Sequence, residues 1–350
     1  MRVDLFDYEL PPERIALEPA RPRDAARLLH VRGTERNDYT VADLSALLRP
    51  GDLLIMNDAK VIPAQLFGTR KARGGAGEDV AIDATVHKRI SDTVWRAFVR
   101  PAKRLREDDV IAFKSGLSAR VMARDGAEAT LEFDAGARGF FAALAEAGVA
   151  PLPPYIARRR PASAKDLDDY QTIYAAKPGS VAAPTAGLHF TERLMEALGR
   201  KGVEHLFITL HVGAGTFLPV TAEDTSDHRM HAEQGEITER QAARINQAHS
   251  AGGRLIAVGT TSLRLLETAA NETGEVLPFA GETDIFITPG YRFKTADMLL
   301  TNFHLPRSTL FMLVCAFAGM DAMKAAYEHA VKSAYRFYSY GDACLLERVP

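Results

Sequence analysis

Cysteine is nearly absent from these 350 residues. Only Cys315 and Cys344 occur, and they match no zinc or redox spacing. A disulfide scaffold is thereby excluded, and a reducing compartment is expected. Charge of one sign is also missing, because 43 Lys and Arg stand against 45 Asp and Glu for a net −2. That excludes a uniformly basic coat for nucleic acid but leaves room for a local basic face. Long apolar runs are lacking too. The longest, LFMLVCAFA (310–318), is about half of what a bilayer crossing needs. The N-terminal MRVDLFDYEL has no signal-peptide core, so a soluble, cytoplasmic chain without a membrane partner is expected.

What is present is ordinary globular composition, 47% apolar and 25% charged, at a length that suits about two domains. Residues 42–56 read as a short helix, a Pro-Gly turn and the apolar strand DLLIM. From 63 to 134 short alternating segments follow, among them VWRAFVR (94–100), DVIAF (109–113), LSARVM (117–122) and ATLEF (129–133). Turn residues separate them, which predicts a small antiparallel β domain or barrel. Beyond it the pattern alternates between helix (191–201, 237–251, 262–272, most of 308–334) and strand (203–212, 254–259, DIFIT, DMLLTNF). The prediction is a large α/β domain with a mostly parallel sheet, interrupted by a small antiparallel β-barrel-like domain. Its expected divisions are 1–62 for the first part of the α/β domain, 63–150 for the insert and 151–350 for the second part. APLPPYI (150–156) would be the return linker.

In open α/β sheets ligands sit beyond the carboxyl ends of the strands. Those ends carry His211-Val212-Gly213-Ala214-Gly215-Thr216, Gly259-Thr260-Thr261-Ser262 with Arg264 following, and Thr301-Asn302-Phe303-His304. PTAGLHFT (184–191) adds Thr185 and His189 at the mouth of a helix. Each cluster by itself also reads as a helix cap or a satisfied structural histidine. Four of them on strand ends point to one shared pocket for an anionic or polar ligand.

The segment DHRMHAEQGEI (227–237) sets His228 and His231 before Glu233. Two readings apply: a metal-dependent hydrolase with these three as ligands, or imidazole acid–base chemistry beside a carboxylate. GAGTFL (213–218) lacks the third glycine of a dinucleotide fingerprint, and no Walker lysine loop or GxSxG elbow occurs. Basic residues concentrate between 87 and 106, where Asp92 is the lone acid, and recur at Arg158-Arg159-Arg160. They suit either an RNA backbone or a solvated barrel face, so a non-catalytic RNA-binding protein is a further alternative.

Longer motifs carry more specific information. GDLLIMNDAKVIPAQLFG (51–68), YQTIYAAKPGSVAAPTAGLHFT (170–191), ITLHVGAGTFLPV (208–220) and HRMHAE (228–233) occur in one order with AVGTTSLRLLE (257–267), LLTNFHLPRSTLFMLVCAFAG (299–319) and YRFYSYGDACLL (335–346). In these the chain resembles the S-adenosylmethionine:tRNA ribosyltransferase-isomerases of queuosine biosynthesis. The resemblance implies transfer and isomerisation of the ribosyl part of S-adenosylmethionine onto 7-aminomethyl-7-deazaguanine in the wobble position of tRNA. Epoxyqueuosine-tRNA, adenine and methionine are the products. It implies S-adenosylmethionine as co-substrate with no prosthetic group or metal, and tRNA with a modified wobble base as partner. A monomer is expected.

The sulfonium acidifies the adjacent 5′ carbon, so a base can generate a ylide there, and departing adenine needs a proton. Catalytic candidates are His189, His211, His228, His231 and Glu233. Candidates to bind S-adenosylmethionine are Thr185, Thr260, Thr261, Thr301 and Asn302, with Arg264 for its carboxylate. Candidates to face tRNA are Arg23, Arg27, Asn57, Lys60, Lys103 and Arg104; for Arg27 an ion pair with Asp24 is the structural alternative. Lys60 and Gln65 stand where the family pattern usually has arginine, which removes a bidentate phosphate clamp there.

Overall fold

The computed structural model describes residues 1–73, 77–150, 153–160, 165–213, 215 and 220–349. Alternation of side chains along each strand decides its architecture. In the strand Leu53–Asn57, Leu53 and Ile55 enter one apolar core while Leu54 and Met56 enter another. A strand apolar on both faces needs cover on both, and helices supply it. Glu239–Ser250, Gly259–Ala269, Thr309–Ala318 and Met320–Lys332 pack on the first face. Leu44–Leu47 and Glu192–Arg200 pack on the second.

The resulting sheet has nine strands in the spatial order Phe279–Thr283, Glu233–Ile237, Glu204–His211, Leu53–Asn57, Leu255–Val258, Met298–Asn302, Ala343–Glu347, Arg27–Arg32, Glu35–Thr40. It is mixed. The four central strands from Glu204–His211 to Met298–Asn302 run parallel, as does the pair Ala343–Glu347 with Arg27–Arg32. The remaining pairings are antiparallel.

Between Leu53–Asn57 and Glu204–His211 the chain builds a closed antiparallel barrel from six strands, Gln65–Arg70, Val80–Arg89, Val94–Arg100, Val110–Phe113, Ser118–Asp125 and Glu128–Asp134. Inward positions such as Ile82, Ala84 and Val86 alternate with outward polar ones, and the helix Phe140–Ala147 covers one opening with Phe140 stacked on Trp95. Part of the expected return linker lies outside the described residues; Val149 pairs back to Gln65.

One expectation changes. DIFIT (284–288) is not a strand: the edge strand is the preceding Phe279–Thr283, paired with Glu233–Ile237. Ile287 is buried and the Ile285 carbonyl accepts from Arg264 Nε, so this backbone leaves the ladder to serve the core and the helix. The run 310–318 lies in a buried core helix that meets the next helix at 116° across Gly319. Among the described residues no single helix is long and apolar enough to cross a membrane.

Candidate active site

Parallel strands bring their carboxyl ends to one edge of the sheet, and a cavity of about 570 Å³ opens there. That volume suits a nucleoside-sized ligand. Leu255–Val258 runs directly into the helix Gly259–Ala269, whose first turn has no side-chain cap. Gly259 makes the turn at φ +89°, where a side chain would be strained. Thr260, Thr261 and Arg264 of this helix line the cavity, together with Thr185, Thr301, Asn302 and Glu233. Four residues that line it carry a buried polar atom with no hydrogen-bond partner among the described residues: the Tyr170 hydroxyl, Thr261 Oγ1, Asn302 Oδ1 and Arg264 Nη2. Buried polar groups are nearly always paired, so four unmet ones around a single cavity mark where a ligand's polar groups belong.

Arg264 is held by Glu233. Its Nη1 lies 2.7 Å from Glu233 Oε2, and Nε donates to the Ile285 carbonyl. Glu233 Oε1 accepts from the Gly213 N–H at 3.3 Å. The carboxylate assigned to the acid–base group is therefore the counter-ion of the arginine, with neither histidine as its hydrogen-bonded partner. The second terminal nitrogen of this cavity-lining guanidinium, Nη2, has no hydrogen-bond partner among the described residues.

His228 and His231 line an adjoining space of about 400 Å³ that shares Glu233, Arg264, Thr221, Thr309 and Leu310 with the first. His228 packs edge-on against Phe286, and burial with the nearby His231 charge lowers its pKa. Both rings are thus at the mouth of the site, ahead of the strand Glu233–Ile237. As metal ligands they fail: Glu233 is engaged by Arg264, and no group of three His, Cys, Asp or Glu among the described residues could hold a metal ion. Of the neighbouring GAGTFL, Ala214 and residues 216–219 lie outside the described residues; Gly215 sits against the His231 ring, where a Cβ would come within 2.5 Å.

The other two histidines do not line the cavity. His211 ends its strand, and by alternation it is the next residue, Val212, that faces the cavity. The His211 ring instead packs on Gly179, and burial lowers its pKa. His189 is buried behind Asn302 and accepts from the Asn302 amide at 3.2 Å. Burial brings its pKa down to about 4.

The residues expected to face tRNA divide. Asn57 is buried, and its amide joins the strand ends, donating to the Leu210 carbonyl and accepting from Ala59 and Leu210 N–H groups. It does not reach the surface. Arg23 donates to the Gln171 and Asp168 carbonyls. Arg27 is similarly engaged: it donates to the Ser333 carbonyl, pairs with Asp38 at 3.2 Å and stacks 3.7 Å from the Tyr335 ring centre. Its expected partner Asp24 is taken by Arg193 and Thr191. Lys60, Lys103 and Arg104 are exposed. On the barrel, Lys88 pairs with Glu282, Arg89 with Asp92 and Arg96 with Glu128. Arg100, Lys103, Arg104 and Arg106 remain exposed with no carboxylate partner among the described residues.

The structure adds residues that the candidate sets lacked, the first of them from the strand-end cluster Thr301–His304 itself. His304 lines the cavity with its Nε2 2.9 Å from Thr301 Oγ1, and burial brings its pKa down to about 3. Tyr338 and Ser339 line it from the loop before Ala343–Glu347, with Tyr338 in the left-handed region at φ +75°. Local pattern carries no signal for either; their place follows from chain return.

Comparison with known proteins agrees with this geometry. The sequence model for the queuosine biosynthesis protein family matches residues 3–346. An S-adenosylmethionine:tRNA ribosyltransferase-isomerase of Parvibaculum lavamentivorans is 60% identical over 349 residues, 99% of each chain. One of the same name from a Methylobacterium species is 59% identical over 360 residues, again 99% of each. The crystal structure of an S-adenosylmethionine tRNA ribosyltransferase from Thermotoga maritima is 35% identical, with a TM-score of 0.54 over 97% of this chain and 99% of that one. Full-length identity at this level, on a fold whose sheet edge opens into a polar cavity, places the chain in the S-adenosylmethionine:tRNA ribosyltransferase-isomerase family of queuosine biosynthesis.

Proposed function

We propose that the chain transfers and isomerises the ribosyl part of S-adenosylmethionine onto 7-aminomethyl-7-deazaguanine in the wobble position of tRNA. Epoxyqueuosine-tRNA, adenine and methionine are the products. The observation that carries this reading is the cavity whose lining holds four unmet buried polar atoms, one of them on a guanidinium. RNA docking by itself needs no such interior.

In this reading Arg264 Nη2 takes the methionine carboxylate, and Glu233 holds the guanidinium in place. Thr185, Thr260, Thr261, Thr301 and Asn302 meet the ribose and the base. His228 and His231 serve proton transfer, one removing a proton from the carbon beside the sulfonium and one supplying the departing adenine. Lys60, Lys103 and Arg104 meet phosphates. Segments 1–62 and 151–350 form the catalytic α/β unit, and 63–150 the inserted RNA-docking unit.

Adenine release from S-adenosylmethionine, with and without tRNA carrying the aminomethyl-deazaguanine base, tests the reading. Adenine and methionine formed only with that tRNA are expected. Intact tRNA binding without adenine would overturn the transferase reading.

A further inference from the structure

Asn302 closes the strand Met298–Asn302 with its two amide ends in different surroundings. Asn302 lines the cavity; its nitrogen donates to His189 Nε2 at 3.2 Å, while its buried oxygen has no partner among the described residues. His189 is 4% exposed and neutral near pH 7; because the amide nitrogen opposite it can only donate, its Nε2 is the accepting nitrogen and Nδ1 carries the proton. An accepting imidazole on one side fixes which way an amide points, and here it presents a hydrogen-bond acceptor to the ligand.

Sheet topology says which part of the ligand arrives there. Glu233, which holds Arg264, starts the strand Glu233–Ile237. From that strand to Met298–Asn302 the sheet advances through Glu204–His211, Leu53–Asn57 and Leu255–Val258. Four strand spacings of about 4.8 Å make roughly 19 Å along one edge. A nucleoside joined through sulfur to an amino acid has its carboxylate and its purine at opposite ends. With the carboxylate on Arg264, the purine lies toward Asn302.

We propose that Asn302 Oδ1 reads the exocyclic 6-amino group of the purine, and that His189 is the positioning residue that fixes this acceptor. The assignment rests on the functional reading above and makes it specific for a 6-aminopurine over a 6-oxopurine. A 6-oxo group would set acceptor against acceptor, with neither satisfied.

The test compares nucleobase release from S-adenosylmethionine and from its 6-oxo (inosyl) analogue, each with tRNA carrying the aminomethyl base. The ratio of kcat/KM for the two is measured in the wild type, Asn302→Ala, His189→Ala and His189→Gln. The differing leaving ability of the two bases is common to every enzyme and cancels between them. Asn302→Ala is expected to reduce the preference for the 6-amino substrate at least about tenfold. His189→Ala does likewise by releasing the amide to turn, and His189→Gln restores the preference because its carbonyl oxygen accepts the same proton. A merely structural role would lower both rates and leave the ratio unmoved.

Asn302→Leu, close in volume, repeats the measurement should the alanine variant unfold. Adenine release with an unchanged ratio in the Asn302 variants overturns this inference alone. A wild type that releases no adenine overturns the functional reading and this inference with it.

Discussion

Arg264 and Glu233 form an ion pair of 2.7 Å in which each side chain is only 6% exposed. It ties the helix Gly259–Ala269 to the strand Glu233–Ile237 beneath the cavity. Removing one partner strands a charge in a poorly solvated place. Glu233→Ala is expected to lower unfolding free energy by about 3–5 kcal/mol in urea titrations. Arg264→Lys keeps the charge but loses the second N–H edge, so it should raise KM for S-adenosylmethionine more than it lowers kcat. A loss below about 1 kcal/mol for Glu233→Ala would mean that water reaches the pair.

Two buried imidazoles predict a pH dependence. Burial holds His189 at about 4 and His304 at about 3, below the ordinary histidine value. Below the unfolded value of about 6.5 the unfolded chain binds more protons than the folded one, so stability rises with pH. The contribution is complete above about pH 6.5 and is lost as pH falls toward the folded values, at up to about 1.4 kcal/mol per pH unit for each ring. Urea unfolding between about pH 7 and pH 5 should show this decline, less steeply in His189→Gln. Constant stability across that range would show that the rings are not held neutral by burial.

His228 and His231 stand at the mouth of the site. Changing either to Gln should cut turnover about a hundredfold while tRNA affinity changes little. Turnover retained in both variants would remove them from proton transfer.

The unpaired basic residues of the barrel predict a salt effect. Lys103 and Arg104 share a short exposed turn, Ala102–Arg104. Replacing both with Ala should weaken tRNA binding and reduce the slope of log K against log salt by about 1–2. An unaltered slope would turn this face of the barrel away from RNA.

Much of the fold was legible because its signals are short-range. Alternation with intervening turns in 94–133 marks barrel strands, and the glycine and threonines after Leu255–Val258 mark a strand running into a helix. Where the sequence pattern marked DIFIT as a strand, the tertiary contacts chose otherwise: the preceding FAGET found a partner in Glu233–Ile237, while DIFIT gave its apolar side chains to the core and the Ile285 carbonyl to Arg264.

At the site, residue types and strand-end positions were legible and orientations were not. Val212 and His211 are neighbours in sequence, yet the pleat sends one to the cavity and the other to Gly179. Sequence alone determined which polar groups gather at the sheet edge, because strand ends follow from local hydrophobic period. Only the tertiary structure decided their partners. Asn302 meets His189 across 113 positions and Arg264 meets Glu233 across 31, and such pairings exist only once separate elements pack at the sheet edge. Burial then sets the charge of each imidazole, since the cost of desolvating a cation depends on what folds over it.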